Sequence, residues 1–133
     1  MDFALIHKER LHHGPRGSDM MLVGDVLGKF CIIIDDMSDT AETICSASQV
    51  LMEKGATKVV AIITHGILSG DAINRINKSP LTEVIVSNTV PQQQHKLKSP
   101  KIQVMDVTVI FAEAIRRIHN GESVSFLQDV VPY

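Results

Sequence analysis

The sequence predicts an α/β domain built on a mostly parallel sheet, and three observations carry that expectation. Short runs of β-branched and aliphatic residues alternate with segments of helical periodicity, as in stacked βα units. One run, Lys29 to Ile34, is nearly all apolar, the composition of a strand buried on both faces and placed in the middle of a sheet. The chain has 133 residues and is 44% hydrophobic, enough for one core and too short for two full domains.

The first expected strand runs from Asp2 to Ile6. It enters at full hydrophobic density with no leader or cap, which suggests a truncated chain or a fragment. His7 to Asp19 follows as a mobile polar loop, because Gly14, Pro15 and Gly17 oppose regular structure. Met20 to Val26 and Lys29 to Ile34 flank Leu27 and Gly28, a pattern that fits two antiparallel strands joined by a tight turn.

A helix is expected over about Thr40 to Lys54, where Ile44, Ala47 and Leu51 recur at helical spacing and Gly55 supplies the stop. Lys58 to Ile63 is the next strand. A turn at Ser69 and Gly70 opens a short helix to Lys78, and Glu83 to Ser87 is again a strand. Asn88 to Pro100 reads as a glutamine-rich connection. Ile102 to Met105 is the last core strand, and Asp106 caps a helix whose buried stripe is Ile110, Phe111, Ala114, Ile115 and Ile118, ended by Asn120 and Gly121.

Composition excludes several classes of function. A formal charge of -2 with dispersed lysines and arginines leaves no basic footprint for nucleic acid. No apolar run approaches the roughly 20 residues that cross a bilayer, so a cytoplasmic protein without a membrane partner is expected. Cys31, in an expected buried strand, and Cys45, on a helix, lack metal-ligand spacing and read as small core residues.

Chemistry concentrates in Ile32-Ile33-Ile34-Asp35-Asp36-Met37-Ser38-Asp39-Thr40-Ala41-Glu42-Thr43, an apolar strand that ends in two acids and enters a helix through hydroxyls. In open parallel sheets ligands bind beyond the carboxyl ends of strands, where helix N-termini offer amides and partial positive charge to a phosphate. Thr40 and Thr43 add hydroxyls, and Asp35 and Asp36 stand where sugar hydroxyls or magnesium would be held. On spacing alone the segment reads equally as a phosphosugar cradle or as an ordinary turn, with Asp39 or Thr40 capping the helix and the acids solvated.

Asp35 to Thr43 resembles the phosphoribosyl pyrophosphate signature shared by type I phosphoribosyltransferases and ribose-phosphate pyrophosphokinases. Asp2 to Arg10, Val23-Gly24-Asp25-Val26, Thr64 to Gly70 and Ala114 to Ser123 resemble the pyrophosphokinases specifically. The resemblance implies a type I phosphoribosyltransferase-like fold, with residues 1–133 as a C-terminal domain and an N-terminal domain absent. It leaves little support for a type I phosphoribosyltransferase that consumes phosphoribosyl pyrophosphate.

The implied reaction transfers the diphosphoryl group of ATP to ribose 5-phosphate, with Mg2+ required. By resemblance Asp35 and Asp36 hold the ribose hydroxyls and the metal, while Asp39, Thr40, Ala41, Glu42 and Thr43 wrap the 5-phosphate. Lys8 and Arg10 match the cations of a flexible catalytic loop, and Ser123 and Ser125 match part of a regulatory site for phosphate and ADP. His65, in Thr-His-Gly after a buried strand, is compatible with lining the cleft, and Arg116, Arg117 and His119 balance a helix C-terminus. ATP would bind mostly through the missing domain, so the isolated chain is expected to be inactive and to join a homo- or hetero-oligomer of synthetase subunits.

One position departs from the family pattern, which reads Asp-Thr-x-Gly-Thr where this chain has Glu42. Glycine lets backbone amides approach a phosphate closely, whereas glutamate adds a Cβ and a negative charge. Two readings follow. The chain is part of an enzyme with Glu42 pointing outward, or it is a non-catalytic subunit associated with active synthetases.

Overall fold

The computed structural model describes residues 4–9, 19–125 and 127. The described chain forms ten elements: β1 (Leu5–Glu9), β2 (Asp19–Val23), β3 (Phe30–Ser38), α1 (Glu42–Glu53), β4 (Lys58–Gly66), α2 (Ala72–Lys78), β5 (Glu83–Ser87), α3 (Gln93–Lys98), β6 (Ile102–Met105) and α4 (Thr108–His119). Four strands make a parallel sheet in the order β3-β4-β5-β6, and β1 and β2 form a separate antiparallel pair.

Each parallel connection carries a helix or turn that returns the chain to the starting edge of the sheet, the βα repeat that the alternating pattern predicts. The core lies on one face. Val59, Ala61 and Ile63 of β4 and Val84 and Val86 of β5 pack with Ile44, Cys45 and Leu51 of α1 and Ile73 and Ile76 of α2. The helical spacing of Ile44, Ala47 and Leu51 thus buries the stripe expected of it. Gly55, at φ +89, ends α1, and its amide bonds the Met52 carbonyl at 3.0 Å.

Several sequence expectations are corrected. The first strand lies at Leu5–Glu9, so His7 to Glu9 are strand and not loop, and residues 10–18 of the expected loop lie outside the described residues. The strands on either side of Leu27 and Gly28 are not paired with each other: β2 pairs with β1, and β3 runs parallel to β4. Hydrogen bonds from Gly28 to Gly55 (2.8 Å) and from Thr57 to Lys29 (2.8 Å) direct the chain out of that turn alongside the α1–β4 connection instead.

A central position was expected for β3, but among the described residues it pairs with β4 alone. Phe30, Ile32 and Ile34 project from the face opposite α1 and are exposed, Ile34 by 79%, while Cys31 and Ile33 are half-buried toward α1. Apolar composition on both faces therefore reports a strand suited to burial, not one that the described elements bury. The Asn88 to Pro100 segment contains α3, which packs near β6. The Phe111, Ile115 and Ile118 stripe of α4 is exposed rather than buried. Both cysteines are free thiols.

Candidate functional site: a strand, loop and helix cradle

β3 continues through both acids to Ser38, so Asp35 and Asp36 are strand residues and not turn residues. Asp35 is half-buried, Asp36 exposed, and Ser38 buried. Burial pushes the Asp35 carboxyl above the usual aspartate range, and the neighbouring Asp36 carboxylate adds to the shift. The acids lie at the carboxyl end of the sheet, where Met37 and Ser38 stand in register with His65 and Gly66 of β4.

The loop to α1 is held from two directions. The Ser38 carbonyl accepts from the amides of Ile67 (3.0 Å) and Leu68 (3.2 Å), and the Asp39 carbonyl accepts from Ser69 (3.0 Å). The Ser69 hydroxyl donates to the Asp39 carboxylate. From α2, the Arg75 guanidinium donates to the Thr40 carbonyl and forms an ion pair with Glu42 at 3.4 Å. A turn and a helix 30 residues downstream thus fix a loop whose own sequence only suggests a shape.

The entry to α1 shows how Glu42 is seated. Ala41 is the N-cap and adopts the left-handed conformation, φ 59 and ψ 12, with no side-chain hydrogen bond across the helix end. Neither Asp39 nor Thr40 is the N-cap of the helix. The left-handed residue is Ala41, and Glu42 is not among the residues with positive φ. Glutamate is therefore compatible with the backbone here, and its carboxylate is engaged with Arg75.

The neighbouring strand ends carry a connected polar network. His65 Nδ1 meets the Thr89 hydroxyl at 2.9 Å, and the Ser87 and Thr89 hydroxyls both donate to the Thr64 carbonyl, at 2.6 and 3.0 Å. Buried Gln92 donates to the Gly66 carbonyl at 2.6 Å and meets His95 at 2.8 Å. Asn88 Nδ2 donates to Asp106 at 2.7 Å, and Asp106 in turn accepts from the Thr108 amide at 2.8 Å; the N-cap of α4 is Val107, one residue after the Asp106 expected there.

Other expected site residues are dispersed. The Lys8 backbone stands opposite Met20 in the β1–β2 pair, and Arg10 lies outside the described residues. Ser123 and Ser125 are exposed after α4, where the Ser123 carbonyl accepts from Arg117 at 3.1 Å. Arg75 and Ser69 were missed by sequence reasoning. A lone arginine 33 residues beyond Glu42 carries no local signal, and only the fold brings the two together.

An open depression of about 430 Å³ between α1 and α2 is lined by Cys45, Gln49, Asp71, Arg75, Lys78 and Pro80, among others, and includes none of the cradle acids. No helix of the described chain is long and apolar enough to cross a membrane.

A parallel sheet with flanking helices and a strand, loop and helix cradle at its carboxyl end defines a type I phosphoribosyltransferase-like architecture. The chain belongs to the ribose-phosphate pyrophosphokinase family: the model of the phosphoribosyl synthetase-associated domain matches residues 10–129. Its structure is similar to that of phosphoribosylpyrophosphate synthetase from Mycobacterium smegmatis, with a TM-score of 0.77 and 39% sequence identity. That match covers 89% of this chain and 37% of the synthetase, so the chain spans little more than a third of the length of that relative.

Proposed function

We propose that the chain is the ribose-5-phosphate-binding unit of a ribose-phosphate diphosphokinase, equivalent to a C-terminal domain that works with an N-terminal domain carrying most of the ATP site. One observation carries the reading. The loop before α1 is braced at the carboxyl end of the parallel sheet, and its one discordant side chain, Glu42, is engaged with Arg75.

In this reading the amides and hydroxyls of Asp39, Thr40, Ala41, Glu42 and Thr43 surround the 5-phosphate at the positive end of α1. Asp35 and Asp36 bind the ribose hydroxyls and so orient the anomeric oxygen. That oxygen attacks the β-phosphorus of ATP, the diphosphoryl group transfers, and AMP leaves, a step that depends on placement and charge neutralisation. Lys8 and Arg10 supply cations to the transferring phosphates. Ser123 and Ser125 contribute to a regulatory site for phosphate or ADP.

The described residues contain no cluster of three or more acidic, histidine or cysteine side chains for a metal. Two adjacent carboxylates suit Mg2+, which keeps several waters and takes its remaining ligands from substrate oxygens. The metal would neutralise charge on the substrate, and Asp35 and Asp36 would hold it.

The reading is tested by titrating ribose 5-phosphate into the chain, with and without magnesium, and repeating with Asp35→Asn and Thr40→Val. Magnesium-dependent binding that Asp35→Asn weakens at least tenfold is expected. Binding of equal strength in both variants would place the sugar phosphate elsewhere and reject the cradle.

A further inference from the structure

The turn between β4 and α2 touches the cradle loop and has no part in the chemistry described above. It is anchored along its length. Buried Gln92 donates to the Gly66 carbonyl at 2.6 Å, and the Ser69 carbonyl accepts from the Ala72 amide at 3.1 Å where α2 begins. Between them Leu68 is left-handed, at φ 51, with its side chain 3% exposed in the core. A leucine keeps that conformation only where its surroundings impose it.

From this anchored turn successive amides face the cradle. Ile67 and Leu68 donate to the Ser38 carbonyl, and Ser69 donates to the Asp39 carbonyl at 3.0 Å. Ser69 adds its hydroxyl, which donates to the Asp39 carboxylate. Ser69 thus grips Asp39 by backbone and side chain together.

Both residues are exposed. Water replaces a hydroxyl at an exposed carboxylate with little loss, so this bond contributes little to folding. What it fixes is direction. The cradle segment carries Asp35, Asp36, Asp39 and Glu42, and Glu42 is already engaged with Arg75. A phosphate dianion arriving at the amides before α1 is repelled by any carboxylate that turns toward it. Asp39 opens the segment that would wrap the phosphate, and its carboxylate is held by Ser69.

We infer that Ser69 is a positioning residue for the sugar phosphate: its hydroxyl holds the Asp39 carboxylate toward the β4–α2 turn and leaves the loop amides to the anion. Asp39 then serves the phosphate through its backbone and not through its charge. The effect on affinity rests on the reading of Asp39 to Thr43 as the phosphate cradle, whereas the effect on the loop itself rests on the turn alone.

The test is calorimetric titration of ribose 5-phosphate, with magnesium, into the whole chain and into Ser69→Thr and Ser69→Val, which share a shape and differ in the hydroxyl. Ser69→Val is expected to bind about tenfold more weakly than Ser69→Thr, while the urea midpoints of the two variants agree. In an Asp39→Asn background, where the carboxylate charge is gone, the same pair of substitutions is expected to bind equally. Equal binding with Asp39 intact overturns the inference, and so does a difference that persists in the Asp39→Asn background. A chain that binds no ribose 5-phosphate rejects the proposed function instead, and amide hydrogen exchange without ligand then decides the inference. Faster exchange from Asp39 to Thr43 in Ser69→Val than in Ser69→Thr supports it, and equal exchange rejects it.

Discussion

At the scale of single residues, Glu42 is engaged by a neighbour. The left-handed position falls on Ala41, and Arg75 both neutralises the glutamate and holds the Thr40 carbonyl. Arg75→Ala should therefore release a negative charge beside the cradle and loosen its loop. Affinity for ribose 5-phosphate is expected to fall about tenfold, roughly 1.4 kcal/mol, measurable by calorimetry, and Glu42→Gly in the same background should recover part of it. Asp35 gives a second test. Its carboxyl titrates above the usual aspartate range, chiefly through burial, so the folded state binds the proton more tightly than the unfolded chain. Stability is then lost as pH rises through that range, and Asp35→Asn should raise the melting temperature at neutral pH while leaving it unchanged in acid. An equal effect at both pH values would show that the substitution acts through packing instead.

At the scale of elements, β5 and β6 were legible to the residue, and α1 nearly so, because their apolar spacing matches what the fold buries. α4 shows where that logic ends: its stripe has helical spacing, yet Phe111 and Ile115 remain exposed, because spacing reports a face and not what covers it. α4 is instead tied at its C-terminal end by Arg116, which bonds Glu113 and Glu122, and by Arg117, which bonds Glu113 at 2.7 Å. The hydrogen bond from Arg116 draws the Glu113 carboxyl down to about 2, and Glu122 is lowered in the same way. A depressed carboxyl stabilises the fold above its unfolded range and loses that contribution as pH falls through the folded value. The helical circular dichroism of α4 should consequently fade between about pH 4.5 and pH 2, and Glu113→Gln should remove that step.

The close contact between β4 and β5 makes a different demand. A Cβ at Gly66 would meet Val86 Cγ2 at 2.5 Å, and the Gly66 carbonyl accepts from Gln92. Gly66→Ala should cost about 1–3 kcal/mol by overpacking, read from urea unfolding. Its glycine was visible in Thr-His-Gly, but the reason for it was not, because Val86 lies on the next strand.

At the scale of the whole molecule, the parallel α/β class was legible from alternating periodicity, and the cradle from an apolar strand that runs into acids and hydroxyls. Three things were not: the pairing of β2 with β1, the pairing of β3 with β4 alone among the described residues, and the bracing of the cradle by Ser69 and Arg75. Each is a non-local pairing, fixed by which strands and helices meet and not by the order of residues within any of them. The apolar face of β3 and the stripe of α4 leave large apolar side chains uncovered by the described residues.

The central claim is that the cradle binds ribose 5-phosphate despite Glu42. Calorimetric titration of ribose 5-phosphate with magnesium, on this chain and on its Glu42→Gly variant, tests it most directly. Because Arg75 engages the glutamate, binding by both chains within about tenfold of one another, roughly 1.4 kcal/mol, is expected. Binding by the glycine variant alone would contradict the account and identify Glu42 as the residue that closes the site.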